Sequence, residues 1–159
     1  MTLALLLAAA SWVLTPDGWG PVRIGMTEAQ VERALRVRLH GEPLESRDEN
    51  ACVEMDSARF PDVVFMFEDK KLSRISLWEK STITTSRGIG LGSSADQVRR
   101  AYGRALIASP HIYESAPAEY LTYWVVKGKR GVRFETDGER RVQAIHAGAS
   151  AIEYVEGCA

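Results

Sequence analysis

The sequence predicts an α+β fold of two tandem units, each a short helix followed by an antiparallel meander. Three observations carry this. Gly25–Leu35 and Gly92–Tyr102 align at an offset of 67, with Gly25/Gly92, Gln30/Gln97, Val31/Val98, Arg33/Arg100 and Ala34/Ala101 identical; Phe67-Glu68 meets Phe134-Glu135 at the same offset. Each aligned stretch carries a helix-start signal. Alternating apolar runs, the mark of half-buried strands, follow each one.

The chain begins with an apolar run, Leu3–Ala10, that continues to Leu14. Roughly 12 residues are too few to span a bilayer, which needs about 20. The run matches the apolar core of a secretory signal, and Ala8-Ala9-Ala10 reads as its cleavage site. Residues 1–10 are therefore expected to be a signal peptide. An N-terminal helix of the fold is the alternative, because Met1-Thr2 carries no positive charge.

The first unit is expected over 16–80 and the second over 81–159. Thr27-x-x-Gln30 opens the first helix and Ser94-x-x-Gln97 the second. In each, the hydroxyl can accept from the third helical amide while the Gln side chain reaches back to the cap amide. Val31, Ala34 and Leu35 share one helical face, as do Val98, Ala101 and Tyr102. Gly25 and Gly92 let the chain turn sharply into the cap. The strands expected next are 51–56, 62–68 and 72–78, then 119–126, 131–136 and 140–147, with a last short strand over 151–155. Asp137-Gly138 between two of these runs signals a hairpin. The Ser/Thr-rich stretch 80–87 joins the units.

The chain has 159 residues, 45% hydrophobic and 26% charged, enough for a folded core and unlike a disordered tail. Its 20 basic and 21 acidic residues give a net charge of −1, so nucleic acid is not an expected partner. The charge is uneven: residues 11–80 carry 10 basic against 13 acidic side chains, residues 81–159 carry 10 against 8. Such polarity can orient a partner or a second copy. Arg99, Arg100 and Arg104 form the densest basic patch, for which a solvated helix face is the plain explanation.

Cys52 and Cys158 show neither Cys-x-x-Cys spacing nor His partners at zinc-like spacing. In an exported chain two cysteines most simply form one disulfide; two free buried thiols are the alternative.

Catalytic signals are weak. His40, His111 and His146 have no ligand partner at helical spacing. His111, Tyr113 and Glu114 cluster after Pro110, so a metal or acid–base site there is weighed against a polar loop. His146 ends an alternating strand and reads as a buried or edge histidine. No Gly-x-Ser-x-Gly elbow is present. Gly88-Ile-Gly90-Leu-Gly92 opens a helix but lacks the dinucleotide spacing and a phosphate-binding Lys. Glu54 and Asp56 share a strand face and read as solvated edge charges. No cofactor and no metal are expected.

Aromatic residues crowd the strands: Trp78 in the first run, Tyr120, Tyr123 and Trp124 in the second. Alternation sends Tyr123 and Trp124 to opposite faces. A sheet face left bare by the helices, carrying Trp78, Tyr123 or Trp124, and Arg133, is a candidate protein-binding surface. Filling of two small cores is the alternative.

The opening Val22-Arg-Ile-Gly-Met-Thr-x-x-Gln-Val31 resembles that of the SmpA/OmlA (BamE-like) domain, which also recurs in the tandem units of the β-lactamase inhibitor protein fold. Gly88–Tyr102 looks like a weaker second copy. The resemblance implies a BamE-like or β-lactamase-inhibitor-like architecture in an exported bacterial protein, periplasmic or secreted. It implies no catalysis, but binding of another envelope or secreted protein. An inhibitor or immunity protein against a secreted enzyme is one alternative. A small hydrolase or metal enzyme centred on His111 is another. No membrane span is expected, and the oligomeric state is open.

Overall fold

The computed structural model describes residues 12–41 and 52–158. The expected signal peptide, residues 1–10, lies outside them.

Three two-residue strands come first, β1 (Leu14–Thr15), β2 (Gly18–Trp19) and β3 (Val22–Arg23), paired in that order as a small sheet. Trp19 anchors it, buried among Trp12, Phe60 and Phe65 with ring centroids 5.0–6.4 Å away. Helix α1 (Glu28–Leu35) follows, then β4 (Val53–Ser57), β5 (Phe60–Glu68) and β6 (Lys71–Leu77). Helix α2 (Ala95–Tyr102) leads through a 3-10 turn to β7 (Leu106–Pro110), β8 (Glu119–Val126), β9 (Arg130–Thr136) and β10 (Val142–Gly148).

Both helices open with a closed capping box. Gln30 N–H donates to Thr27 Oγ1 at 3.3 Å and Thr27 N–H donates back to Gln30 Oε1 at 2.8 Å. At Ser94 and Gln97 the same bonds measure 3.2 and 2.7 Å. Gly25 and Gly92 enter the caps at φ +91° and +81°, where a side chain is strained. Each entrance is stitched to a strand, Gly25 N–H to Leu72 O and Gly92 N–H to Val142 O.

The expectation of two helix-plus-meander units is overturned. Among the described residues 42% lie in strands and 17% in helices, the two α-helices are short, and β4 to β10 form one antiparallel seven-stranded sheet. Its order is β4-β5-β6-β10-β9-β8-β7. The join is β6 against β10, with Ile75 opposite Ala147 and Leu77 opposite Ile145. The physical reason lies in β6, whose residues after Lys71 are all buried, so leaving it as an edge would bury unpaired backbone amides. Pairing the inner edges of the two runs removes both edges at once.

The core is correspondingly single. Val31 and Leu35 of α1, and Val98 and Tyr102 of α2, pack on one sheet face against Phe65, Phe67, Ile75, Leu77, Val132, Phe134 and Ile145. The expected last strand over 151–155 is instead a 3-10 turn, Ser150–Glu153, with Ala151 and Ile152 fully buried. It lies across the other face of the sheet, against β6, β9 and β10. Strand β7 and the small sheet were not expected, since β7 is largely exposed and shows no alternation.

No helix among the described residues is long and apolar enough to cross a membrane.

Candidate functional site

The sheet face away from the helices is built from the residues between the core positions of each strand. Register sets them in rows. Ser76 of β6, His146 of β10, Arg133 of β9 and Thr122 of β8 stand side by side across four strands. Beside them Ala144, Glu135 and Tyr120 form a second row. All the polar members of the first row are buried.

Buried polar groups need partners, and here they form a chain. Ser76 Oγ lies 2.8 Å from His146 Nδ1, and His146 Nε2 lies 3.0 Å from Glu135 Oε1. An ionised carboxylate only accepts, which assigns the proton to Nε2 and makes Nδ1 the acceptor of the Ser76 hydroxyl. Burial holds His146 below its ordinary 6.5, against the pull of Glu135, so the ring is neutral. For Glu135 burial acts upward, but the His146 hydrogen bond and the nearby Arg133 guanidinium outweigh it and hold the carboxyl down.

His111 approaches the same carboxylate from the loop after β7. Its Nδ1 accepts backbone N–H bonds from Tyr113 and Glu114 at 3.2 and 3.1 Å, so Nε2 carries the proton. Nε2 is 3.8 Å from Glu135 Oε2, too far for a hydrogen bond. The ring stacks on Tyr120, with centroids 4.5 Å apart. Arg133 covers Tyr120 with its guanidinium 3.9 Å from the ring centroid.

Arg74 of β6 closes the assembly. It is 2% exposed and its Nη1 donates to the carbonyls of Ala151 and Tyr154, both at 3.1 Å. Its Nη2 donates to Glu54 Oε1 at 2.6 Å. One side chain from the middle of the sheet thus fastens the C-terminal segment over it. Burial lowers the Arg74 pKa, while Glu54 and other carboxylates resist. Three further ties hold the segment: Tyr154 OH to Glu68, Tyr113 OH to Glu156, and a disulfide between Cys52 and Cys158, whose Cα atoms are 5.3 Å apart.

Between segment and sheet lies a pocket of about 230 Å³ lined by Glu54, Arg74, Glu135, His146, Trp78 and Tyr154. Trp78 packs edge-on to His146, with centroids 5.2 Å apart. Trp78, Tyr154, Val155 and, through the Tyr113–Glu156 contact, Tyr113 form an exposed rim, from 36% exposed at Trp78 to 61% at Tyr113.

The sequence candidates distribute as follows. Trp78 and Arg133 belong to this face, and Trp124 lies on it towards one end, its ring against Gly131. Tyr123 points to the helix side, where Arg87 sits over the rings of Tyr102 and Tyr123. His40 is elsewhere, its backbone bridging Asp56 beside β4. His111 meets one carboxylate, Glu135. Among the described residues no group of three His, Cys, Asp or Glu side chains is placed to hold a metal ion. The Gly88–Gly92 loop presents no amide cradle: Gly88, Ile89, Gly90 and Gly92 N–H donate to Thr85 O, Thr85 Oγ1, Ser93 Oγ and Val142 O.

Sequence reasoning missed Arg74, Glu135 and Tyr154. A signal existed for Arg74, the lone charge inside the run Leu72–Leu77. No family model, curated protein or solved structure matches this chain.

Proposed function

We propose that this is a non-catalytic, exported protein that binds another protein of the cell envelope or extracellular space on the sheet face opposite its helices. The observation that carries the reading is the exposed rim of Trp78, Tyr154, Val155 and Tyr113 at a charged pocket. Aromatic side chains flanking buried charges are the composition of binding hot spots. The rim is also held in place before any partner arrives. Arg74, the Tyr154–Glu68 bond and the disulfide fix the segment that carries Tyr154 and Val155. Such preorganisation lowers the entropy cost of binding. A disulfide suits an oxidising compartment.

The Ser76–His146–Glu135 chain has hydrogen-bond distances that a hydrolase triad would use. Ser76, however, is 1% exposed and does not line the pocket that His146 and Glu135 line. A nucleophile must meet its substrate, so the chain is better read as satisfied buried polarity that positions Glu135.

A photo-crosslinking residue placed at Tyr154 tests the reading against one placed at Lys127. In periplasmic extract of the native host, one protein should be captured from position 154 and lost when Trp78 is changed to Ala. Equal capture from both positions, or none from 154, would overturn it.

A further inference from the structure

We infer that the pocket between Trp78 and Tyr154 receives an arginine side chain of the protein partner; the inference rests on the protein-binding reading and specifies its chemistry. Three independent features of the pocket point there.

The first is charge. Glu54, Glu135 and Glu156 line it against a single cation, Arg74. That cation is already committed to Glu54 and to two carbonyls of the C-terminal segment. Glu68 and Glu153 extend the negative field around it; Glu68 is joined to Tyr154, and Glu153 acts on Arg133. Carboxylates concentrated in a concave site attract and orient a cation.

The second is the state of the acceptors. Glu54 uses Oε1 for Arg74, and Glu135 uses Oε1 for His146. Among the described residues neither Oε2 accepts a hydrogen bond. Neutral His146 adds no competing charge while it holds Glu135 ionised. A planar guanidinium offers five N–H donors in a fork and can use acceptors on more than one side.

The third is the wall. Trp78 and Tyr154 are each partly exposed beside the pocket, and aromatic faces favour a guanidinium over other cations. The volume of about 230 Å³ suits one long side chain rather than a helix or strand of the partner. The same three features disfavour a carboxylate ligand, which would meet three like charges.

The test uses the full disulfide-bonded chain and acetyl-arginine amide as probe, with acetyl-citrulline amide as the neutral isostere. The Trp78 indole N–H resonance is followed by NMR. Acetyl-arginine amide should shift it saturably, with affinity at least tenfold above the citrulline compound, weakening as salt rises. Glu135→Gln should reduce that affinity at least tenfold. Where that variant loses its folded spectrum, Trp78→Leu replaces it, read on the Tyr154 ring resonances with the same loss expected. Equal shifts by the two amides, no shift by acetyl-arginine amide, or affinity unchanged in the variant would overturn the assignment. Partner capture from position 154 with no arginine binding would sink this inference and leave the protein-binding reading standing. Arginine binding without capture would do the reverse.

Discussion

His146 shows how one side chain sets the acid limit of the molecule. Its folded pKa lies below the ordinary 6.5, and that of Glu135 below the ordinary 4.5. In both cases the unfolded chain takes up a proton before the folded one does. Stability is therefore greatest above about pH 6.5, falls as pH drops through the ordinary histidine value, and falls again below the ordinary glutamate value. Thermal melts at pH 7.5 and 5.5 should show a lower Tm at 5.5, and His146→Gln should flatten that difference. A Tm that rises on acidification would contradict the buried neutral ring. At this scale the sequence was half legible. Alternation showed that His146 ends a strand, but its partners Ser76 and Glu135 lie 70 and 11 residues away, and only strand register brings them together. Arg133 is legible as an aromatic neighbour only once β8 is known to stand beside β9.

The helices are the elements whose local chemistry speaks most directly. A capping box involves four consecutive residues, so Thr27-x-x-Gln30 and Ser94-x-x-Gln97 can be read without knowing the fold. Replacing Thr27 or Ser94 by Ala should cost about 1 kcal/mol each. The two caps share no contacts, so the double variant should show nearly the sum in chemical denaturation; a cost near zero would mean the caps are redundant with packing. Strands behave differently. Runs such as Val63–Phe67 announce themselves by alternation, yet alternation does not name the neighbour. Two meanders, each with its own sheet, fit the pattern as well as one sheet does. What decides between them is the burial of β6 on both faces, a property of the assembled molecule. The 3-10 turn at Ser150–Glu153 escaped for a related reason: its apolar residues Ala151 and Ile152 fit a strand until β6, β9 and β10 supply the surface they cover.

At the scale of the whole molecule, the described residues build one large sheet, beside the small N-terminal one, with a helical layer on one face and a fastened C-terminal segment on the other. Its central pairing joins Ile75 to Ala147, far apart in sequence, so the fold depends on long-range contacts and is expected to form slowly. The Cys52–Cys158 bridge spans a sequence separation of 106 residues. In the chain-entropy account a loop of that length contributes about 4–5 kcal/mol. The Cys52→Ala/Cys158→Ala double variant should lose stability by up to that amount in urea unfolding, and proteolysis should begin in residues 150–158. Full stability without the bridge would place the hold on that segment in Arg74 and the Tyr154–Glu68 and Tyr113–Glu156 bonds. The charge difference between the two stretches of sequence does not survive as two charged bodies, because Asp17 and Arg130 meet at 2.6 Å and the strands of both stretches share one sheet.

The bridge also sets an order of events in biosynthesis. Cys158 comes after every described strand, so Cys52 lacks its native partner until β10 and the turn beyond it have been made. A chain halted between Cys52 and Cys158 carries a free thiol. That thiol is a chemical tag on unfinished molecules, visible to an oxidoreductase or to a thiol-specific label, and the native bridge closes only after Cys158 has been made.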